Sequence, residues 1–269
     1  EFGKIIRVNV NKIKDIGRVP GIKKVYPTEP DPDQEQKHHA VISNMKDIEG
    51  NGEIYVFRKM LEEPYARVVC YNERGERVWI SKKLAAAAGD ESGMPVVDLD
   101  NDGKYELILS HQAQLYCINA HTGNIKWSYK FEKQLSSERA MGDYPMVVGH
   151  FTDKKQQQVV VRSGLKVYCL NSEGEETWTY KLQGGEKYGH ALCRYDINRD
   201  DLQEIFITRN GASEALTGEG ELLWKDNTQK NHSDNFTFGD IDEDGKCEVV
   251  YDHDGCGGKG PLYVVEGNT

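Results

Sequence analysis

Asp98-Leu99-Asp100-Asn101-Asp102-Gly103-Lys104-Tyr105-Glu106 places carboxylates at the first, third, fifth and ninth positions of a nine-residue run. A glycine follows the third carboxylate, and an apolar stretch, Leu107-Ile108-Leu109, comes directly behind. The pattern returns as Asp240-Ile241-Asp242-Glu243-Asp244-Gly245-Lys246-Cys247-Glu248 ahead of Val249-Val250-Tyr251. A worn copy is Asp196-Ile197-Asn198-Arg199-Asp200-Asp201-Leu202-Gln203-Glu204. Alternating oxygens in a tight loop suit a hard cation, because Ca2+ takes several oxygen ligands at about 2.3–2.6 Å. The candidate ligands are Asp98, Asp100, Asp102 and Glu106; Asp240, Asp242, Asp244 and Glu248; and Asp196, Asn198, Asp200 and Glu204. An ion in such a loop staples the turn between two strands and does no chemistry of its own. The stretch Gly149-His150-Phe151-Thr152-Asp153-Lys154-Lys155 puts cations where ligands belong and is expected to be empty. Asp47-Ile48-Glu49-Gly50-Asn51-Gly52 is a further, irregularly spaced candidate.

A second group of residues has the chemistry of proton transfer. Histidine and tyrosine exchange protons, histidine near neutral pH, and arginine holds carboxylates with two parallel hydrogen bonds. Tyr188, His190, His39, His232, His111, His253, Arg162 and Arg209 supply that inventory. It suits β-elimination from a uronic acid. An arginine or a cation neutralises the sugar carboxylate, one side chain removes the adjacent C–H proton, and another protonates the departing oxygen. On this reading Tyr188 and His190 transfer the protons and Arg162 or Arg209 holds the carboxylate. Hydrolysis by paired carboxylates is less well served, and no histidine spacing supports a catalytic zinc site.

The elements that must position both groups come from a repeat. Aligned on the acidic loops, the chain shows a unit of roughly 45–50 residues, a period that signals propellers and solenoids. One copy reads Val96-Val97, the acidic loop, Leu107-Ile108-Leu109, Leu115-Tyr116-Cys117-Ile118, the turn Asn119-Ala120-His121-Thr122-Gly123-Asn124, and Ile125-Lys126-Trp127-Ser128-Tyr129. Equivalent fourth runs carry Trp79, Trp178 and Trp224. Four short β-branched or aromatic runs per copy, separated by Gly, Asn and Asp turns, predict four-stranded antiparallel blades and an all-β propeller. The chain holds about five such blades and reads as one domain over residues 1–269, with an irregular, proline-rich insertion at about 11–38. The last copy stops after its third strand, and Phe2 to Val10 looks like a spare fourth strand. Either that strand closes a five-bladed ring, or the chain is a slice of a larger propeller. In a propeller the turns between first and second strands share one face. The strand-one entries and strand-two exits share the other, and six of the eight histidines map there.

The totals exclude some partners. A net charge of −10 and the lack of a basic stripe argue against nucleic acid. No apolar run reaches the roughly 18 residues that a membrane-spanning helix needs. Cys70, Cys117 and Cys169 recur at one strand position, which predicts buried free thiols as small core fillers. Cys247 and Cys256 could pair, but nothing in the sequence favours it.

The Asp-x-Asp-x-Asp-Gly-x-x-Glu loops followed by an apolar strand resemble those of extracellular calcium-binding propellers with integrin-like (FG-GAP/VCBS-type) repeats. They are especially similar to those of rhamnogalacturonan lyases and related propeller polysaccharide lyases. Tyr188-Gly189-His190 and His232 ahead of a strand echo the same group, and the segment from Thr122-Gly123 to Trp127 resembles quinoprotein propeller repeats. The resemblance implies bound Ca2+, an extracellular, periplasmic or cell-surface location, and a polysaccharide or glycan partner. It leaves two functions open. One is a lyase acting on uronic-acid-containing polysaccharide. The other is a non-catalytic calcium-binding module for glycan binding, adhesion or surface assembly.

Overall fold

The chain is all-β, and among the described residues it forms five antiparallel sheets in sequence order. The structure is a computed structural model. It describes residues 43–46, 52–59, 65–72, 75–85, 94–111, 114–131, 146–183, 191–209, 211–227, 236–252 and 262–266. The first sheet holds β1 (Ser43–Lys46), β2 (Gly52–Lys59), β3 (Tyr65–Tyr71), β4 (Arg77–Ile80) and β5 (Leu84–Ala85). The second holds β6 (Val96–Val97), β7 (Glu106–His111), β8 (Gln114–Asn119) and β9 (Ile125–Lys130). The third holds β10 (Met146–Gly149), β11 (Gln158–Ser163), β12 (Lys166–Leu170) and β13 (Glu176–Lys181). The fourth holds β14 (Leu192–Tyr195), β15 (Glu204–Arg209), β16 (Ala212–Leu216) and β17 (Leu222–Asp226). The last has three described strands, β18 (Phe236–Gly239), β19 (Glu248–Asp252) and β20 (Leu262–Glu266). Each sheet is an up-and-down meander of consecutive strands, which is the blade the repeat predicted.

The first sheet departs from that pattern by one short strand. β4 stops where Ser81 folds back, its hydroxyl accepting from Val68 N at 2.9 Å and its N–H donating to Val68 O at 2.8 Å. The chain resumes as β5, which pairs Leu84 with Ala66 and Ala85 with Tyr65. β4 and β5 are therefore one outer edge interrupted at residues 81–83.

The middle strands read as unbroken apolar runs because both of their faces are covered. Leu107 and Leu109 pack with Tyr55, Phe57 and Val68 of the first sheet, while Ile108 between them packs with Val159 and Val161 of the third. Ile205 and Ile207 face the third sheet and Phe206 faces the last in the same way. Side chains alternate across a strand, so a two-sided sheet demands apolar residues at every step. The second residue of each acidic loop plugs the next core. Leu99, Phe151 and Ile197 lie in the clusters shared with the following sheet. The equivalent Ile241 on the last sheet is 56% exposed, and so is Val264 at 57%, where Cys117, Cys169 and Ala215 are fully buried. The expected N-terminal closing strand and the insertion at 11–38 lie outside the described residues.

Neighbouring blades are latched by tryptophan. The indole N–H of Trp79 donates to Ala120 O at 2.9 Å, that of Trp127 to Ser172 O at 2.7 Å, and that of Trp178 to Gly218 O at 2.9 Å. Each acceptor lies in the turn between third and fourth strands of the next blade. Each ring also covers a glycine of that turn. A Cβ on Gly123, Gly174 or Gly220 would stand 2.4–2.6 Å from the Trp79, Trp127 or Trp178 ring. All three glycines have positive φ, so the turn conformation and the close approach both call for glycine. This contact explains why the repeat carries both a Gly turn and a Trp: each turn receives the Trp of the preceding blade.

Cys70, Cys117 and Cys169 are buried free thiols on β3, β8 and β12, as their repeat position suggested. Burial pushes them up to about 12, 12 and 11 respectively. Cys247 is also a free thiol, and Cys256 lies outside the described residues.

Candidate metal centres

The acidic loops share one backbone shape. Their fourth residues, Asn101, Arg199 and Glu243, have φ of 59°, 61° and 62°, and their sixth, Gly103, Asp201 and Gly245, have φ of 81°, 71° and 89°. Two left-handed residues per loop turn successive N–H groups inward. The first carboxylate collects them. Asp98 accepts from Asp102 N and Gly103 N at 3.0 Å each, Asp196 from Asp200 N and Asp201 N at 3.0 Å each, and Asp240 from Gly245 N at 3.0 Å. The ninth side chain is buried and caps the second residue: Glu106 accepts from Leu99 N at 3.0 Å, Glu204 from Ile197 N at 2.9 Å, and Glu248 from Ile241 N at 2.6 Å. Burial raises the Glu106 and Glu204 carboxyls above the ordinary range.

The structure brings together Asp98, Asp100 and Glu106, with one oxygen of each within 4.8 Å of the others, and likewise Asp240, Asp242 and Glu248. This donor set, all carboxylate oxygen on a tight loop, fits a hard divalent cation. Asp102 and Asp244 do not join the clusters. Asp102 accepts from Lys104 N at 2.8 Å and pairs with the Lys104 ammonium at 3.1 Å; Asp244 does the same with Lys246 at 2.8 and 3.2 Å. Hydrogen bonds from those lysines lower both carboxyls.

The Asp196 loop is filled by its own amide. Asn198 Nδ2 lies 3.0 Å from Asp200 Oδ2 and 3.4 Å from Glu204 Oε1. In the loop expected to be empty, Gln158 takes the ninth position. Its Oε1 accepts from Phe151 N at 3.2 Å and Thr152 N at 2.7 Å, so a neutral amide performs the same cap.

Lys126 belongs to the first carboxylate cluster, although loop-by-loop reading of the sequence passes over it. Its ammonium lies 2.9 Å from Asp100 and 2.8 Å from Glu106. It reaches them from a β-bulge. Cys117 pairs with Trp127 and Ile118 with Ile125, which leaves Lys126 as the extra residue. The same bulge recurs in three other blades, with Val78, Thr177 and Leu223 as the extra residue. A signal was present, because Lys126 is the only lysine among the four residues that precede these tryptophans.

Of the proton-transfer candidates, Arg162 and Arg209 lie among the described residues, and both are fully buried. The Arg209 guanidinium pairs with Glu214, itself fully buried, and Glu214 also accepts from Tyr180 Oη at 2.8 Å and Gln183 N at 3.0 Å. Arg209 is thus committed within the protein. His39, Tyr188, His190, His232 and His253 lie outside the described residues, as does the side chain of His111.

Comparison with known proteins bears on the blades and their loops together. The profile of the family described as outer membrane protein assembly factor BamB matches residues 65–244, two thirds of the chain. No curated protein matches the sequence. Among solved structures, the biofilm matrix protein Bap1 of V. cholerae is similar at a TM-score of 0.58 and 18% identity, over 90% of this chain and 40% of that one. BBS1N in complex with ARL6DN is similar at a TM-score of 0.54 and 14% identity, over 90% of this chain and 67% of that one. At these identities the likeness is one of fold. The chain spans about two fifths of the length of Bap1.

Proposed function

The chain belongs to the family described as outer membrane protein assembly factor BamB, and on that premise we propose that it is a non-catalytic, calcium-stapled propeller that serves as an assembly or adhesion module in the periplasm or at the cell surface. The observation that carries this reading is the pair of carboxylate clusters at Asp98–Asp100–Glu106 and Asp240–Asp242–Glu248. They sit in turns that join the first and second strands of a blade. A Ca2+ ion there ties the loop to the buried glutamate at the start of the second strand, so its role is to hold the blade rather than to activate a substrate. The family is that of an assembly factor by description, and one structurally similar protein is a biofilm matrix protein. A polysaccharide or protein ligand at an extracytoplasmic surface is consistent with both.

The alternative, a lyase for uronic-acid-containing polysaccharide, needs an arginine that meets the substrate carboxylate. Arg162 and Arg209 are buried, and Arg209 is held by Glu214, which favours the module. The two are separated by incubating the calcium-loaded protein with polygalacturonate, rhamnogalacturonan and ulvan and following ultraviolet absorbance of the unsaturated uronate product. The module reading predicts no enzyme-dependent rise on any polymer. A rise that His190→Ala abolishes would overturn it in favour of β-elimination, since loss of a general acid or base costs about 10²–10⁴-fold.

A further inference from the structure

The ninth residue of each described loop is buried, and one of its oxygens always caps the second residue. What meets its other polar atom differs from blade to blade. Glu106 faces the Lys126 ammonium at 2.8 Å. Glu204 faces the Asn198 amide at 3.4 Å. Gln158 carries no charge, and its Nε2 donates to Thr152 Oγ1 at 2.7 Å. Glu248 is only 5% exposed, its Oε2 accepts from Ile241 N, one of its oxygens lies with those of Asp240 and Asp242, and among the described residues no side-chain cation pairs with it. A buried carboxylate without a compensating charge is costly. The second blade supplies a counter-charge, the third has no charge to compensate, the fourth offers an amide, and the last offers neither among the described residues.

We propose that the two carboxylate clusters are not equivalent: Asp240–Asp242–Glu248 is the tight divalent-cation site, whereas Asp98–Asp100–Glu106 carries its own tethered cation, Lys126, which competes with the metal. The proposal rests on the calcium reading given above for the Asp240 loop. The ammonium is delivered by the bulge before Trp127, and a bulge re-aims the side chain it carries. Val78, Thr177 and Leu223 occupy the same bulge elsewhere and bring no charge. A tethered ligand competes at high effective concentration, because it loses no translational freedom on binding. Ca2+ entering the Asp98 loop must displace the ammonium from two oxygens and then share the site with an expelled positive charge. The arrangement lets the second blade keep its loop shape when calcium is scarce, while the last blade responds to the ion.

Calcium titration by calorimetry on the full chain tests this with wild type, Lys126→Met, Lys126→Gln, Asp240→Asn and the Lys126→Met/Asp240→Asn double variant. The wild type should bind one ion tightly and lose it in Asp240→Asn. Lys126→Met and Lys126→Gln should each gain a second site, at least about tenfold tighter than any weak site in wild type. The double variant should keep that new site alone, and adding Asp100→Asn should remove it. Unchanged stoichiometry and affinity in both Lys126 variants, or two equal sites in wild type, would overturn the proposal. If wild type binds nothing and Lys126→Met gains one site, the Asp240 reading falls while the role of Lys126 stands. Binding in neither overturns both.

Discussion

Replacing Trp127 by alanine is expected to destabilise the protein by about 2–4 kcal/mol, less than the full range for a core aromatic because the ring is half-buried at the blade junction. The indole does two jobs at the junction between the second and third blades. It covers Gly174, where an added Cβ would lie 2.5 Å from the ring, and it donates to Ser172 O at 2.7 Å. Truncation opens a cavity at the edge of the cluster that holds Cys117 and Leu170 and removes the carbonyl's indole donor. Gly174→Ala attacks the same contact from the other side. At φ +82° an L-residue is strained, and its methyl would collide with the ring, so a loss of about 2–4 kcal/mol is expected. The double variant should cost less than the sum, because both changes break one latch. Urea unfolding followed by tryptophan-independent circular dichroism reads all three. Losses below about 1 kcal/mol for both single variants would show that the latch does not hold the blades.

Glu214→Ala should cost about 3–5 kcal/mol, because it strips a fully buried arginine of its counter-ion. Glu214 accepts from three directions: the Arg209 guanidinium, Tyr180 Oη at 2.8 Å and Gln183 N at 3.0 Å. Tyr180 and Gln183 come from the preceding blade, so this carboxylate ties the third sheet to the fourth. Removing it leaves a buried charge without its counter-ion and two part-buried donors without this acceptor. Arg209→Met with Glu214→Leu removes charge and counter-charge together and should be milder than Glu214→Ala alone, since an apolar pair of similar volume often replaces a buried ion pair with little loss. Urea midpoints at constant slope measure the difference. Equal losses in the single and double variants would show that the buried charge is not the cause.

The repeat made most of the fold legible. Runs such as Val159-Val160-Val161 and Ile205-Phe206-Ile207 lie between turns at a fixed spacing, and only a sheet covered on both faces asks for that composition. The loop shape was legible too, because Gly103 and Gly245 mark a left-handed position that Asp201 also adopts. The destinations of single side chains were not. Asp102 and Asp244 look like ligands by spacing, yet each is drawn away by a lysine two residues on. Lys126 looks like an exposed strand residue by alternation, and only the bulge turns it onto Asp100 and Glu106. Arg162 and Arg209 map to a strand end that a propeller exposes in outline, but packing buries both. Linear spacing fixes which backbone positions share a face. It does not show which side chain wins when a carboxylate has two cations within reach.

Thermal unfolding in excess calcium and in excess chelator tests the central claim most directly. An ion that binds only the folded chain adds about 2.7 kcal/mol at a hundredfold excess over its dissociation constant. For a domain of this size that raises Tm by about 5–10 °C. The account predicts that rise in wild type and its disappearance in Asp240→Asn, with the blades otherwise folded. Superimposable melting curves in calcium and chelator would contradict it.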